Sequence, residues 1–195
     1  MILIIDLCYE KDSLSTDEFV TPIVQIVQKS GAAYTVRHYR GVTEADVSGA
    51  DRVILCGTAL MDNGFLLHPE AFAWITTFSR PLLGICAGME ILSVLFGGAV
   101  QESREIGMTE VRCTGSDPLF AVKDRFVAYE LHRFAPQPSG EFMVLAESDR
   151  CTQAVRHTSL PFYGVMFHPE VRNDWVVERF LTLQSNTADG SICPI

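Results

Sequence analysis

The sharpest local feature of this 195-residue chain is Pro81-Leu-Leu-Gly-Ile-Cys86-Ala-Gly-Met-Glu90, an apolar strand meeting a helix with a cysteine at the junction. Gly84 and Gly88 stand two residues to either side of it. A nucleophile held in such a turn adopts a tight backbone conformation, and glycines leave the room that neighbouring side chains would take. The thiol then points outward. The helix beginning at Ala87 turns its dipole and first N–H groups toward the sulfur, which favours an anion there. The remaining five cysteines, Cys8, Cys56, Cys113, Cys151 and Cys193, read as small core hydrophobes.

Near the end of the chain stands Leu160-Pro-Phe-Tyr-Gly-Val-Met-Phe-His168-Pro-Glu170-Val, an apolar strand closing on two ionisable side chains separated by a proline. In extended backbone, residues i and i+2 project to one side, so His168 and Glu170 are expected to meet. A carboxylate on one imidazole nitrogen fixes the tautomer and leaves the other nitrogen to take a proton from a thiol. An isolated H-P-E facing solvent is the bland alternative. Both segments, however, fall where strands of an open α/β sheet end, and sites gather at the carboxyl ends of such strands. His38, His68 and His157 are read as lacking a comparable carboxylate partner.

The elements that must hold these groups follow a β-α-β rhythm. Strands are expected at 2–7, 33–38, 52–56 and 81–85, and helices at 17–29, 68–78 and 87–96. Apolar strands buried on both faces imply a mostly parallel central sheet with helices on both sides, a flavodoxin-like α/β fold. After Gly97-Gly98 the pattern changes to short β-rich segments at Val100, 109–113, 126–131, 142–146, 153–156 and 162–167, most of them expected to pair antiparallel in a smaller portion. A closing helix is expected at 175–183. Residues 1–183 then form one domain, and 184–195 a polar, frayed tail.

Bulk properties exclude several classes. The formal charge of −9, with no cluster of Lys or Arg, repels polyanions, so nucleic acid is not an expected partner. No apolar run approaches the roughly 20 residues of a membrane span. Ile2–Ile5, with no basic residue before it, reads as a strand and not as a secretory signal. Cysteines without C-x-x-C spacing are expected to be reduced, in cytoplasm.

With G-I-C-A-G-M-E at 84–90 and Y-G-V-M-F-H-P-E-V at 163–171, the chain resembles class I (triad) glutamine amidotransferases, in which nucleophile, histidine and glutamate follow in that order. Within them it is most similar to the separate amidotransferase subunit of archaeal GMP synthases. The opening M-I-L-I-I-D, the segments Glu105-Ile-Gly107 and Glu130-Leu-His132, and A-E-S-D-R-C-T-Q-A-V-R-H at 146–157 carry that likeness. The resemblance implies Cys86 as nucleophile, His168 as base and Glu170 as its orienter. It also implies oxyanion and substrate contacts from Gly57, Thr58, Ala87, Glu90, Gly107 and His132. No metal or organic cofactor is implied for glutamine hydrolysis; ATP and magnesium would serve a partner synthetase.

Three departures from the family pattern set further expectations. The usual S-G-G-P is Cys56-Gly57-Thr58-Ala59 here, so one oxyanion donor would come from a β-branched residue, which disfavours positive φ. Glu90 stands where many members carry Gln, and would repel the substrate carboxylate or pair with its ammonium. Leu131-His132-Arg133-Phe134-Ala135-Pro136 replaces S-H-x-D-E-V in a loop expected to face the synthetase.

The leading reading is a glutaminase subunit that hands ammonia from L-glutamine to a separate ATP-dependent synthetase, with GMP as a candidate product. The chain holds no P-loop glycine pattern of its own. The alternatives are a partner-independent Cys-His-Glu γ-glutamyl hydrolase and a catalytically idle binding homologue. Self-association is left open.

Overall fold

The computed structural model describes residues 1–120 and 124–183. The tail expected at 184–195 lies outside them. Nine strands form one sheet: β1 (Ile2–Asp6), β2 (Tyr34–His38), β3 (Arg52–Leu55), β4 (Leu82–Ile85), β5 (Ala99–Cys113), β6 (Arg125–Gln137), β7 (Phe142–Glu147), β8 (Thr152–His157) and β9 (Phe162–Val165). Their order is β2-β1-β3-β4-β9-β8-β7-β5-β6. The first five are parallel neighbours, and every later pairing is antiparallel. β9 joins the halves, parallel to β4 on one side and antiparallel to β8 on the other.

Burial explains the parallel half. β1, β4 and β9 are buried at every position, as strands covered on both faces must be, so their sequences are unbroken apolar runs. The helices α1 (Leu14–Phe19), α2 (Thr21–Lys29), α3 (Glu44–Gly49), α4 (Ala87–Leu95) and α5 (Trp175–Thr182) supply the cover. α2 packs on α5, burying Ile23, Ile26 and Val27 with Val176, Val177 and Phe180, while α4 packs beside a 3₁₀ helix at Pro69–Thr77. No helix among the described residues is long and apolar enough to cross a membrane.

Several boundaries differ from expectation for identifiable reasons. The single helix expected at 17–29 is two, divided at Val20, because Pro22 sits in the first turn of α2, where a proline is tolerated. The helix expected at 68–78 is 3₁₀ and is preceded by a 3₁₀ turn at Gly64–Leu67. α3 falls outside the expected elements. Thr43 and Asp46 start it with a reciprocal capping box, each side chain bonding the other's backbone N–H. The segments at Val100 and 109–113 are one 15-residue strand, paired along almost its whole length with β6. The antiparallel part, four of the nine strands, continues the parallel part as one sheet.

Candidate active site

Cys86 occupies the junction of β4 and α4 with φ +47°, ψ −104°, a conformation L-residues rarely adopt. The neighbouring glycines make this turn possible by close approach. A Cβ on Gly84 would lie 2.6 Å from the Gly88 carbonyl, and one on Gly88 would lie 2.6 Å from the Leu55 oxygen of β3. The Cys86 N–H donates to Val165 O at 2.8 Å, which ties the elbow to β9, and the Cys86 carbonyl accepts from Met89 and Glu90 as α4 begins. The sulfur faces the Leu131 carbonyl of β6 at 3.9 Å.

His168 follows β9 in irregular backbone. Its own carbonyl accepts from the N–H groups of Val171 and Arg172, so the peptide turns, and this turn brings Glu170 back onto the ring where extended backbone was expected to. Nδ1 lies 2.7 Å from Glu170 Oε1, and neither side chain is exposed. The His168 N–H donates to Tyr129 O of β6, and Phe19 of α1 lies 5.3 Å from the ring. Nε2 has no hydrogen-bond partner. Complete burial opposes charge on this ring, yet the charges of Glu170 and Cys86 outweigh it and hold the imidazole well above its ordinary pKa.

Gly57 brings the two halves together. A Cβ there would meet His168 Cε1 at 2.7 Å and Cys86 Cβ at 3.5 Å, so thiol and imidazole converge on one glycine at the carboxyl end of β3. Neither Gly57 nor Thr58 has positive φ, and Thr58 Oγ1 donates to Asp62 Oδ2 at 2.7 Å. The threonine thus sits in the loop without the backbone strain expected of it.

A small cleft of about 20 Å³ opens over the sulfur, lined among others by Thr58, Cys86, Ala87, Glu90 and His132. Burial pushes the Glu90 carboxyl up to about 8, with His132 a smaller opposing influence, so at neutral pH it is mostly uncharged. Its Oε2 has no partner. Gly107 does not line this cleft; it lies opposite Glu130 in the β5–β6 ladder with φ +103°.

The other cysteines near the site are poor nucleophiles. Burial, then Asp6, pushes the Cys8 thiol up to about 12, and burial followed by Glu170 raises Cys56. Burial also raises Cys151. Only a thiolate attacks readily.

Two arrangements were not anticipated. His68, read as partnerless, lies 3.1 Å from Glu70 in a second H-P-E, but both side chains are exposed and no thiol is near them in sequence. Glu105, His132 and Cys151 gather within 4.8 Å, His132 standing between this group and the Cys86 cleft. These are donor types that suit zinc. Glu105 Oε2, however, already accepts from Ser148 Oγ at 3.0 Å, Cys151 Sγ at 3.1 Å and Gln153 Nε2 at 2.9 Å, the marks of a hydrogen-bond network.

The arrangement of a buried thiol on an elbow, an unpaired imidazole nitrogen and an orienting carboxylate is that of nucleophilic acyl transfer. Comparison with known proteins agrees. The family model for glutamine amidotransferase class-I matches residues 15–179. The glutamine-hydrolysing subunit of GMP synthase from Methanopyrus kandleri is 41% identical over 98 residues, 47% of this chain and 52% of that protein. The corresponding GMP synthase subunit of Methanosarcina barkeri is 33% identical over 138 residues, 68% of this chain and 70% of the relative. The matched region thus spans about half to two thirds of these curated relatives. Among solved structures, a GMP synthase subunit of Thermoplasma acidophilum superposes with TM-score 0.82 at 21% identity, covering 93% of this chain and 92% of the other. A glutamine amidotransferase of Thermotoga maritima gives 0.70 at 20% identity, covering 93% and 80%. With the matched region reaching from α1 to α5 and including the elbow and the H-P-E turn, the chain belongs to the class-I glutamine amidotransferase family.

Proposed function

We propose that the chain is a glutaminase subunit that releases ammonia from L-glutamine for a separate ATP-dependent synthetase. The observation that carries it is the convergence of Cys86 and His168 on Gly57, with Glu170 behind the ring. In this reading Cys86 Sγ attacks the side-chain amide carbon and forms a C–S bond. The C–N bond then breaks as His168 passes the thiol proton to the leaving nitrogen, giving ammonia and a glutamyl thioester. Water, deprotonated by His168, adds to the thioester and expels the sulfur as glutamate leaves. The first N–H groups of α4 at Ala87, with the Gly57–Thr58 loop, would hold the oxyanion; the loss of one such donor typically costs about 10² to 10³ in rate. Glu170 fixes the ring tautomer throughout.

Side chains and backbone suffice for this half-reaction, so ATP and magnesium are assigned to the partner. The relatives are named as glutamine-hydrolysing subunits of GMP synthase, which supports a partner on another chain, with a purine nucleotide as acceptor. The buried thiols of Cys8, Cys56 and Cys86, none of them in a disulfide, support a reducing, cytoplasmic setting. Glu90 is mostly neutral in the cleft and presents little charge to repel substrate. Glutamate release from glutamine, measured with and without an added archaeal GMP synthetase subunit, tests the proposal. Turnover is expected, abolished in Cys86→Ala and raised by the partner; wild-type turnover equal to that of Cys86→Ala would refute it.

A further inference from the structure

His132 is more than a wall of the cleft. Its imidazole is 1% exposed and lies between two buried carboxylates, Nε2 being 3.3 Å from Glu130 Oε2 and 3.4 Å from Glu105 Oε2. No other partner reaches Nε2 or either Glu130 oxygen. On the other edge, Nδ1 lies 2.9 Å from the Ser103 carbonyl. Ser103 falls in the irregularity where the β5–β6 register shifts between Glu102 and Glu105, so the ladder itself does not pair that carbonyl. His132 thus anchors the bulge, and the residue before it carries the carbonyl that faces the Cys86 sulfur.

We propose that His132 is a positioning residue for glutamine hydrolysis, a buried imidazolium clamped between Glu105 and Glu130 that supplies fixed positive potential to the Cys86 end of the cleft. The inference rests on the glutaminase reading above. The groups facing the ring are Cys86 at the elbow, Glu90 from α4, Glu105 from β5, Glu130 from β6 and Cys151 from the β7–β8 turn, with Ser148 and Gln153 behind them on Glu105. Burial opposes the charge on His132, but Cys151, Glu105, Glu130 and the Cys86 sulfur push its pKa up to about 12. The charge is therefore present throughout the working range, when the tetrahedral oxyanion forms nearby. Glu105 is secured as its counter-ion by Ser148, Cys151 and Gln153, while burial raises Glu130.

His132→Asn tests this, because the amide can keep the bond to Ser103 O while removing the charge. The expected result is a kcat lower by about 10- to 100-fold with KM changed far less, as for lost electrostatic positioning. Its pH profile should also gain an ionisation, activity falling with rising pH as Glu105 and Glu130 ionise without their cation. A purely structural role would leave the pH profile in place. Wild-type kcat and an unshifted profile in folded His132→Asn would overturn the inference. If that variant does not fold, Glu105→Gln serves: lower kcat at unchanged Tm supports the clamp, and unchanged kcat overturns it. Inactive wild-type protein, by contrast, would sink the glutaminase reading itself.

Discussion

At the scale of single residues, identity matters less than surroundings. The chain holds two H-P-E tripeptides, and in both the imidazole meets its carboxylate. Only His168-Pro169-Glu170 is buried against a thiol, and only there can the pair act on a nucleophile. The pairing was legible in sequence for this tripeptide and not for the other, since local geometry brings the groups together while long-range folding decides what they face. Gly57 shows the same dependence. Gly57→Ala would put a methyl carbon 2.7 Å from His168 Cε1, so the ring must move. We expect kcat to fall by about 10²-fold, the usual penalty for a misplacement near 1 Å, with Tm changed little; steady-state kinetics and a thermal melt check both. Glu90 sets a pH dependence. Its folded pKa of about 8 lies above the ordinary carboxyl value, so the native state holds its proton longer than the unfolded state and stability is lost as pH rises through the interval up to about 8. Glu90→Gln should therefore gain stability over wild type progressively across that window, and its KM for glutamine should lose the rise expected of wild type above pH 8. Parallel melting curves at all pH values would contradict this.

At the scale of elements, the elbow was readable because its constraints are local. Glycines at fixed offsets from a cysteine at a strand–helix junction signal close packing, and Gly84 and Gly88 do have backbone where a Cβ would be. Gly88→Ala forces α4 away from Leu55 of β3. We expect a loss of about 1–3 kcal/mol, typical of overpacking, measurable as a lower urea midpoint, and a drop in activity because Cys86 moves with α4. What remained hidden has a common cause. β5 alternates between exposed and half-buried positions over much of its length, and β6 buries polar Glu130 and His132 among its inward positions, so no apolar run announced strands of 15 and 13 residues. Positive φ at Gly107 and the register shift between Glu102 and Glu105 interrupt the period further. The network around His132 depends on β5 pairing with both β6 and β7 and on the turn from β7 into β8, partners far apart in the chain.

At the scale of the molecule, the site collects at the carboxyl ends of β3, β4 and β9, three adjacent parallel strands. A parallel sheet of β1 to β4 could be anticipated from apolar runs separated by helices, whereas 162–167, expected in the antiparallel portion, instead pairs parallel to β4 as β9. The antiparallel half supplies the opposite wall: Leu131 and His132 of β6 approach the thiol, and Tyr129 O holds His168 in place. One sheet thus serves both as scaffold for the nucleophile and as the far side of its cleft. The most direct test is covalent. A diazo-ketone analogue of glutamine, followed by peptide mass spectrometry, should place a single adduct on Cys86, with labelling slowed by about 10²-fold or more in His168→Asn. An unlabelled Cys86, or a label carried by another cysteine, would contradict the account.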